Sequence, residues 1–227
     1  MRTLAILSAV LGLLSQDAEK IKAALKTVGE RTYKLTDEKH GGSLVLKTTV
    51  EKDAAILDDV LTLQEGEAKA TMAFKQTCAI DACLNPTAVE GKITDGKENR
   101  TVSVVVKDGT AKVKLVDGAE VTERSETLGD KAITHFALFR VVCILEAKKD
   151  ATVKFNLVDV EAFLVRKDST LTCNGKDKTD VGGKAVECDQ WTLKEEGRDR
   201  DSIFWVSGGV VVKATVEGVS MELVEKK

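Results

Sequence analysis

Five cysteines, two histidines and a few acidic pairs are the side chains of this 227-residue chain with chemistry to offer. Thiol redox catalysis and zinc binding both favour cysteines two residues apart, in Cys-x-x-Cys pairs. Here Cys78 and Cys83 are separated by AIDA, and Cys173 and Cys188 flank the polar stretch NGKDKTDVGGKAVE, so neither pattern occurs. Bridging is the chemistry these thiols suit. Two strands either side of a hairpin tip can oppose Cys173 and Cys188 at disulfide geometry, and Cys78 and Cys83 can close a small ring across a loop. The fifth, Cys143, sits in an apolar run and is expected to be a buried thiol.

The remaining candidates are weaker. His135 stands between Thr134 and Phe136, and His40 precedes a glycine pair, with no Gly-x-Ser-x-Gly elbow anywhere to make either part of a hydrolase. Ser207, in WVSGG, is read as a strand-end turn. Asp58-Asp59, Asp199 and Asp201 lack the alternating oxygen ligands of a calcium loop, so a solvated surface is expected for them. Gly41-Gly42, Gly182-Gly183 and Gly208-Gly209 are read as turns, since none opens a helix after a strand to cradle a phosphate. Asn99-Arg100-Thr101 is a glycosylation sequon by pattern. Trp191 and Trp205 fall in alternating segments and read as core or rim. The charge-dense KEEGRDRD, residues 194–201, reads as a solvated hairpin. No catalytic group, cofactor or metal site is expected, and the protein is read as a non-enzyme.

The elements that carry these residues begin with an apolar run. Met1-Arg2 and then TLAILSAVLGLL have the charge and length of a secretory signal, with cleavage expected after Ser15 and a single domain over 16–227. Export fits the bridging role of the cysteines. No other run approaches the length of a bilayer-spanning helix, so no integral membrane span is expected. From Asp17 to Gly29 apolar residues recur at helical spacing, with an acidic start and a glycine stop, predicting an amphipathic helix. Beyond it the period drops to two. Alternating segments such as Leu44–Val50, Ala68–Lys75 and Val102–Leu115, the last folded at Lys107-Asp108-Gly109-Thr110, predict ten or eleven short strands in a strongly curved or closed antiparallel sheet. Asp130–Ala147 interrupts them as a helix apolar on nearly every side, capped by Asp130, which a concave sheet must enclose. The fold class is thus mainly β with α. A formal charge of -3 and only six Phe, two Trp and one Tyr give no basis for nucleic-acid binding.

An N-terminal helix, curved strands, an embedded helix and a final set of strands resemble the bacterial outer-membrane lipoprotein-carrier (LolA/LolB-like) superfamily, and more closely its uncharacterised exported relatives. DAEKIKAALKTVGERTYKLT is similar to the helix-then-strand opening of the carriers. LTCNGKDKTDVGGKAVECDQWTLKEEG followed by SIFWVSGGVVVKATVEGVSMELVE is similar to their closing strands. Gly208-Gly209 departs from the Asp or Pro usual at that turn. The resemblance implies a half-barrel whose apolar hollow holds an acyl chain of a lipid or lipoprotein, covered by the embedded helix, with Ile133, Phe136, Phe139 and Val142 lining the hollow. It implies a periplasmic or envelope location and no catalysis. The alternative is a structural or protein-interaction module of the envelope, with a filled core and no small ligand, whose partner would be another envelope protein.

Overall fold

In the computed structural model, residues 17–37, 41–96, 98–161 and 163–224 are described. The expected signal segment at 1–15 and His40 lie outside them. The first helix, α1 (Ala18–Val28), forms as its spacing predicts. Asp17 caps it by accepting from the Glu19 amide at 3.0 Å, Gly29 ends it with φ of 51°, and Ile21, Leu25 and Val28 are buried.

Strands then follow almost without pause. β1 (Glu30–Thr36), β2 (Gly41–Val50), β3 (Ala54–Glu65), β4 (Ala68–Ala79), β5 (Pro86–Asp95), β6 (Glu98–Lys107), β7 (Thr110–Asp117) and β8 (Glu120–Thr127) form one antiparallel meander. After the short β9 (Ala132–Thr134) and α2 (Leu138–Ile144), a second meander runs through β10 (Thr152–Asp159), β11 (Leu164–Val181), β12 (Lys184–Lys194), β13 (Ser202–Ser207), β14 (Val210–Val216) and β15 (Val219–Leu223). β15 pairs with β1, which merges the two into a single sheet of fifteen strands with β8 and β9 at its edges. The sequence predicted fewer strands because closely spaced hairpins merge in a reading by periodicity. The Asp108-Gly109 hairpin is as expected, with both residues at positive φ, 50° and 70°.

This topology forces curvature. Thr127 ends one edge strand and Ala132 begins the other, five residues later. Five steps of chain reach at most ~19 Å. Fifteen strands laid flat would separate those edges by roughly 65 Å. The sheet therefore curls until its edges approach each other, and side chains bridge the gap. Arg124 on β8 donates to the Phe163 carbonyl after β10 at 3.0 Å, and Asn156 Nδ2 on β10 donates to the Leu128 carbonyl after β8 at 2.8 Å. No strand ladder joins β8 to β9, so the sheet is open and curved and not a closed barrel.

Three expectations are corrected. The inserted helix is not a capped helix over 130–147. Ala132–Thr134 instead pairs in parallel with Asn156–Val158 as β9, and α2 spans only seven residues. A run apolar on all sides suits a buried strand as well as a buried helix, and here it supplies both. Thr134 makes the break: its hydroxyl donates to Gln76 Oε1 at 2.6 Å and accepts from the Ala137 amide at 3.3 Å, closing a turn after which the helix begins at Leu138 without a side-chain cap. Gly41 and Gly42 are not a turn but the start of β2. A side chain on Gly42 would collide with the Thr62 carbonyl of β3.

The third correction concerns the cysteines, all five of which are unbridged thiols. The β11–β12 hairpin exists with Gly182-Gly183 at its tip, yet its register sets Cys173 opposite Trp191 and Cys188 opposite Asp177. An offset of three residues along a strand is roughly 10 Å, beyond the reach of a disulfide. The bulge after Cys173 arises within the same pairing. Between Cys78 and Cys83 the loop is organised by Asp81, whose Oδ1 accepts from the amides of Cys83 at 2.9 Å and Asn85 at 3.2 Å.

Candidate functional site

Parity along the strands decides what faces the hollow. On β3, Ala55, Leu57 and Asp59 are buried; on β4, Phe74, Gln76 and Cys78 are buried. Each set is an i, i+2 series, so Asp59 and Gln76 point inward with their apolar neighbours. From above comes Arg140, the one charged residue of α2, wholly buried. Its guanidinium Nη2 donates to Asp59 Oδ1 and, at 3.1 Å, to the Lys47 carbonyl. Nε reaches Thr48 Oγ1 at 3.1 Å and Nη1 the Phe136 carbonyl at 3.1 Å. Gln76 Nε2 donates to Asp59 Oδ2 at 3.4 Å and its Oε1 accepts from Thr134. Burial pushes the Asp59 carboxyl up, while Arg140 and Gln76 pull it down. This network ties α2 to β2, β3, β4 and β9. Asp59 is thus a buried anchor and not the solvated residue expected.

Beside the anchor lies a cavity of about 310 Å³. Phe136 of the turn before α2 and Leu138 and Phe139 of α2 form one wall, and Leu35, Leu44 and Phe204 are among the sheet residues opposite. Aromatic contacts set that wall. Phe139 packs against Tyr33 with ring centroids 5.2 Å apart and edge-on against Phe204 at 5.4 Å. Phe136 lies 5.5 Å from Phe74, whose ring rests on Gly91 of the neighbouring strand, where a Cβ would strike it. The Tyr33 hydroxyl donates to the Val211 carbonyl at 3.0 Å, and burial pushes its ionisation up. Phe136 and Phe139 stand among the residues around this cavity, while Ile133, on β9, and Val142, on α2, are buried in the apolar core.

The cavity opens through a charged mouth that sequence reasoning missed. His135, Asp159, Glu161, Glu195, Arg198 and Glu217 line it. Glu195 was read as part of a solvated hairpin, yet its side chain is only 6% exposed. The signal was there in parity, since Trp191, Leu193 and residue 195 lie on the same face. Arg166 Nε stands 3.5 Å and His135 Nε2 4.0 Å from its Oε2. The His135 ring and the two arginines Arg166 and Arg198 hold the Glu195 carboxyl below its ordinary value, against burial. Arg198 meets Glu217 at 2.7 Å. Glu161 goes the other way: burial and then Asp159 push its carboxyl up. No cluster of His, Cys, Asp or Glu with metal-binding geometry occurs among the described residues. Among them, too, no helix is long and apolar enough to cross a membrane.

No family model matches the chain, and no curated protein matches it. Two solved structures are similar in outline. A DUF1089 family protein from Pseudomonas aeruginosa is 12% identical, with 78% of this chain and 89% of that one covered at a TM-score of 0.41. The hypothetical lipoprotein YmcC from Escherichia coli is also 12% identical, with 88% of each chain covered at a TM-score of 0.30. Overlaps of that quality carry no weight for ligand or activity.

Proposed function

We propose that the protein is an exported, non-enzymatic envelope protein that holds an apolar chain, of a lipid or of a lipoprotein, in the hollow between α2 and the curved sheet. The observation that carries this reading is the 310 Å³ cavity walled by Phe136 and Phe139. That volume lies at the lower end of the range for small-ligand sites. Its floor is apolar and its mouth polar, the division an amphiphile requires. Each methylene moved from water into such a floor contributes about 0.8 kcal/mol, so a chain of modest length binds without any polar contact. The half-barrel, the exported location and the kinship with lipoprotein carriers belong to this proposal.

Native mass spectrometry of protein purified from its own envelope tests it. A co-purifying lipid mass, lost in Phe136→Asp, is the expected result. Ligand-free protein in every preparation, together with no uptake of added lipid, would overturn it. The filled-core module would then stand, a reading supported by the complete burial of Ile133 and Val142.

A further inference from the structure

We propose that the cavity takes a single unbranched alkyl chain of about twelve carbons, and that Phe139 sets this length. This rests on the reading that the cavity holds an apolar chain and adds how long a chain it holds. Volume gives the first limit. A dry apolar cavity of roughly 150 Å³ accepts one benzene, so each carbon occupies about 25 Å³. The 310 Å³ here accommodates about a dozen carbons of one chain and leaves no room for a second of that length.

The second limit is a floor of rings. Tyr33 on β1 and Phe204 on β13 stand on strands separated by β15 and β14. Phe139 reaches from α2 to both, with ring centroids 5.2 Å from Tyr33 and 5.4 Å from Phe204. Phe139 and Phe204 line the cavity, and the buried Tyr33 ring fills the space beyond Phe139. Leu44, the register partner of Tyr33, lines the cavity at the same end. The residue after Phe139 is Arg140, whose buried bonds to Asp59, Thr48 and the Lys47 and Phe136 carbonyls fix the helix. The Phe139 ring is thus held from behind, and a longer chain does not push it aside. Surplus carbons stay in water, where they add nothing to affinity.

Calorimetric titration with alkyl maltosides of eight, ten, twelve and fourteen carbons, kept below their micelle concentrations, tests the inference. Their uncharged sugar head is too large to follow the chain inside. Each added methylene should tighten binding about fourfold up to twelve carbons, and fourteen should bind no more tightly than twelve. Phe139→Leu removes about three carbons from the floor, so the fourteen-carbon chain should then bind about tenfold more tightly than the twelve-carbon one. Leu44→Phe adds about three, and affinity should level off at about ten carbons. A variant that only loosened the fold would not move the limit in opposite directions. Affinity that climbs without a break through fourteen carbons in the parent, or a limit unmoved in both variants, overturns the inference and leaves the cavity reading standing. If no maltoside binds, the cavity reading itself fails and this inference fails with it.

Discussion

Arg140 of α2 and Asp59 of β3, 81 residues apart, form an ion pair in which neither side chain is exposed. The pair pins the helix to the sheet at one end of the cavity wall. Taking both charges out of water is costly, and what makes the arrangement tolerable is that the guanidinium is satisfied by Thr48, Lys47, Phe136 and Asp59 together. Removing one partner strands the other. Arg140→Ala or Asp59→Ala should therefore lower stability by about 3–5 kcal/mol. The double variant Arg140→Met, Asp59→Leu, which fills the space with apolar groups, should recover most of that. Denaturant unfolding of the three variants measures both effects; equal losses in the single and double variants would show that the charges are not what holds α2 in place.

A second dependence runs through a glycine. Phe74 can lie flat over the neighbouring strand and meet Phe136 only because Gly91, its register partner, has no side chain. Gly91→Ala should push the ring aside at a cost of about 1–3 kcal/mol. The loss should be less than additive with Phe74→Ala, since the second variant removes the group that clashes. Additive losses by thermal or denaturant unfolding would place the glycine's role elsewhere.

Much of this architecture could be read from the chain, and the misses have a common cause. The helix from Ala18, the Asp108-Gly109 and Gly182-Gly183 hairpins and the alternation of the strands are local signals, and they form as read. Register is not local. Cys173 and Cys188 flank the right hairpin but not at matching distances from its tip, and a bulge shifts the ladder further. The Asp130–Ala147 run keeps only seven helical residues and gives three of the others to β9, because parallel pairing with β10 is a long-range contact that periodicity does not encode. The charged mouth was hidden for a different reason: Glu195, Arg198 and Glu217 sit at strand ends in polar surroundings. Only the inward parity of Glu195 after Trp191 and Leu193 betrays it. The same parity marks Asp59 after Leu57 and Gln76 after Phe74.

The unbridged thiols give a chemical test of register. Burial pushes Cys78, Cys83 and Cys143 up to about 12, so little thiolate exists at neutral pH. Thiolate is the reactive form. Native protein should react slowly with a thiol reagent at pH 8, and all five cysteines should react promptly once it is unfolded without reductant. Peptide mapping of that material that recovers a Cys173–Cys188 bridge would show the β11–β12 register to be different from the one described.

Acid should weaken the fold through the mouth of the cavity. The Glu195 carboxyl is held below its ordinary 4.5 by His135, Arg166 and Arg198. A carboxyl depressed in the folded state contributes stability that is complete above its unfolded value and is lost as pH falls through its folded value. Stability should therefore fall as pH drops below about 4.5. In Glu195→Gln that acid limb should be shallower, because the group that takes up the proton is gone. Glu161 has the opposite sign. Its carboxyl is raised by burial and by Asp159, so its ionisation opposes folding as pH rises through 4.5 and beyond. Glu161→Gln should leave the acid limb in place and raise stability at neutral pH. Denaturant midpoints measured from pH 3 to 8 distinguish the two carboxyls. Parallel curves for Glu195→Gln and the parent would mean that the ion pairs around Glu195 do not contribute to holding the mouth together.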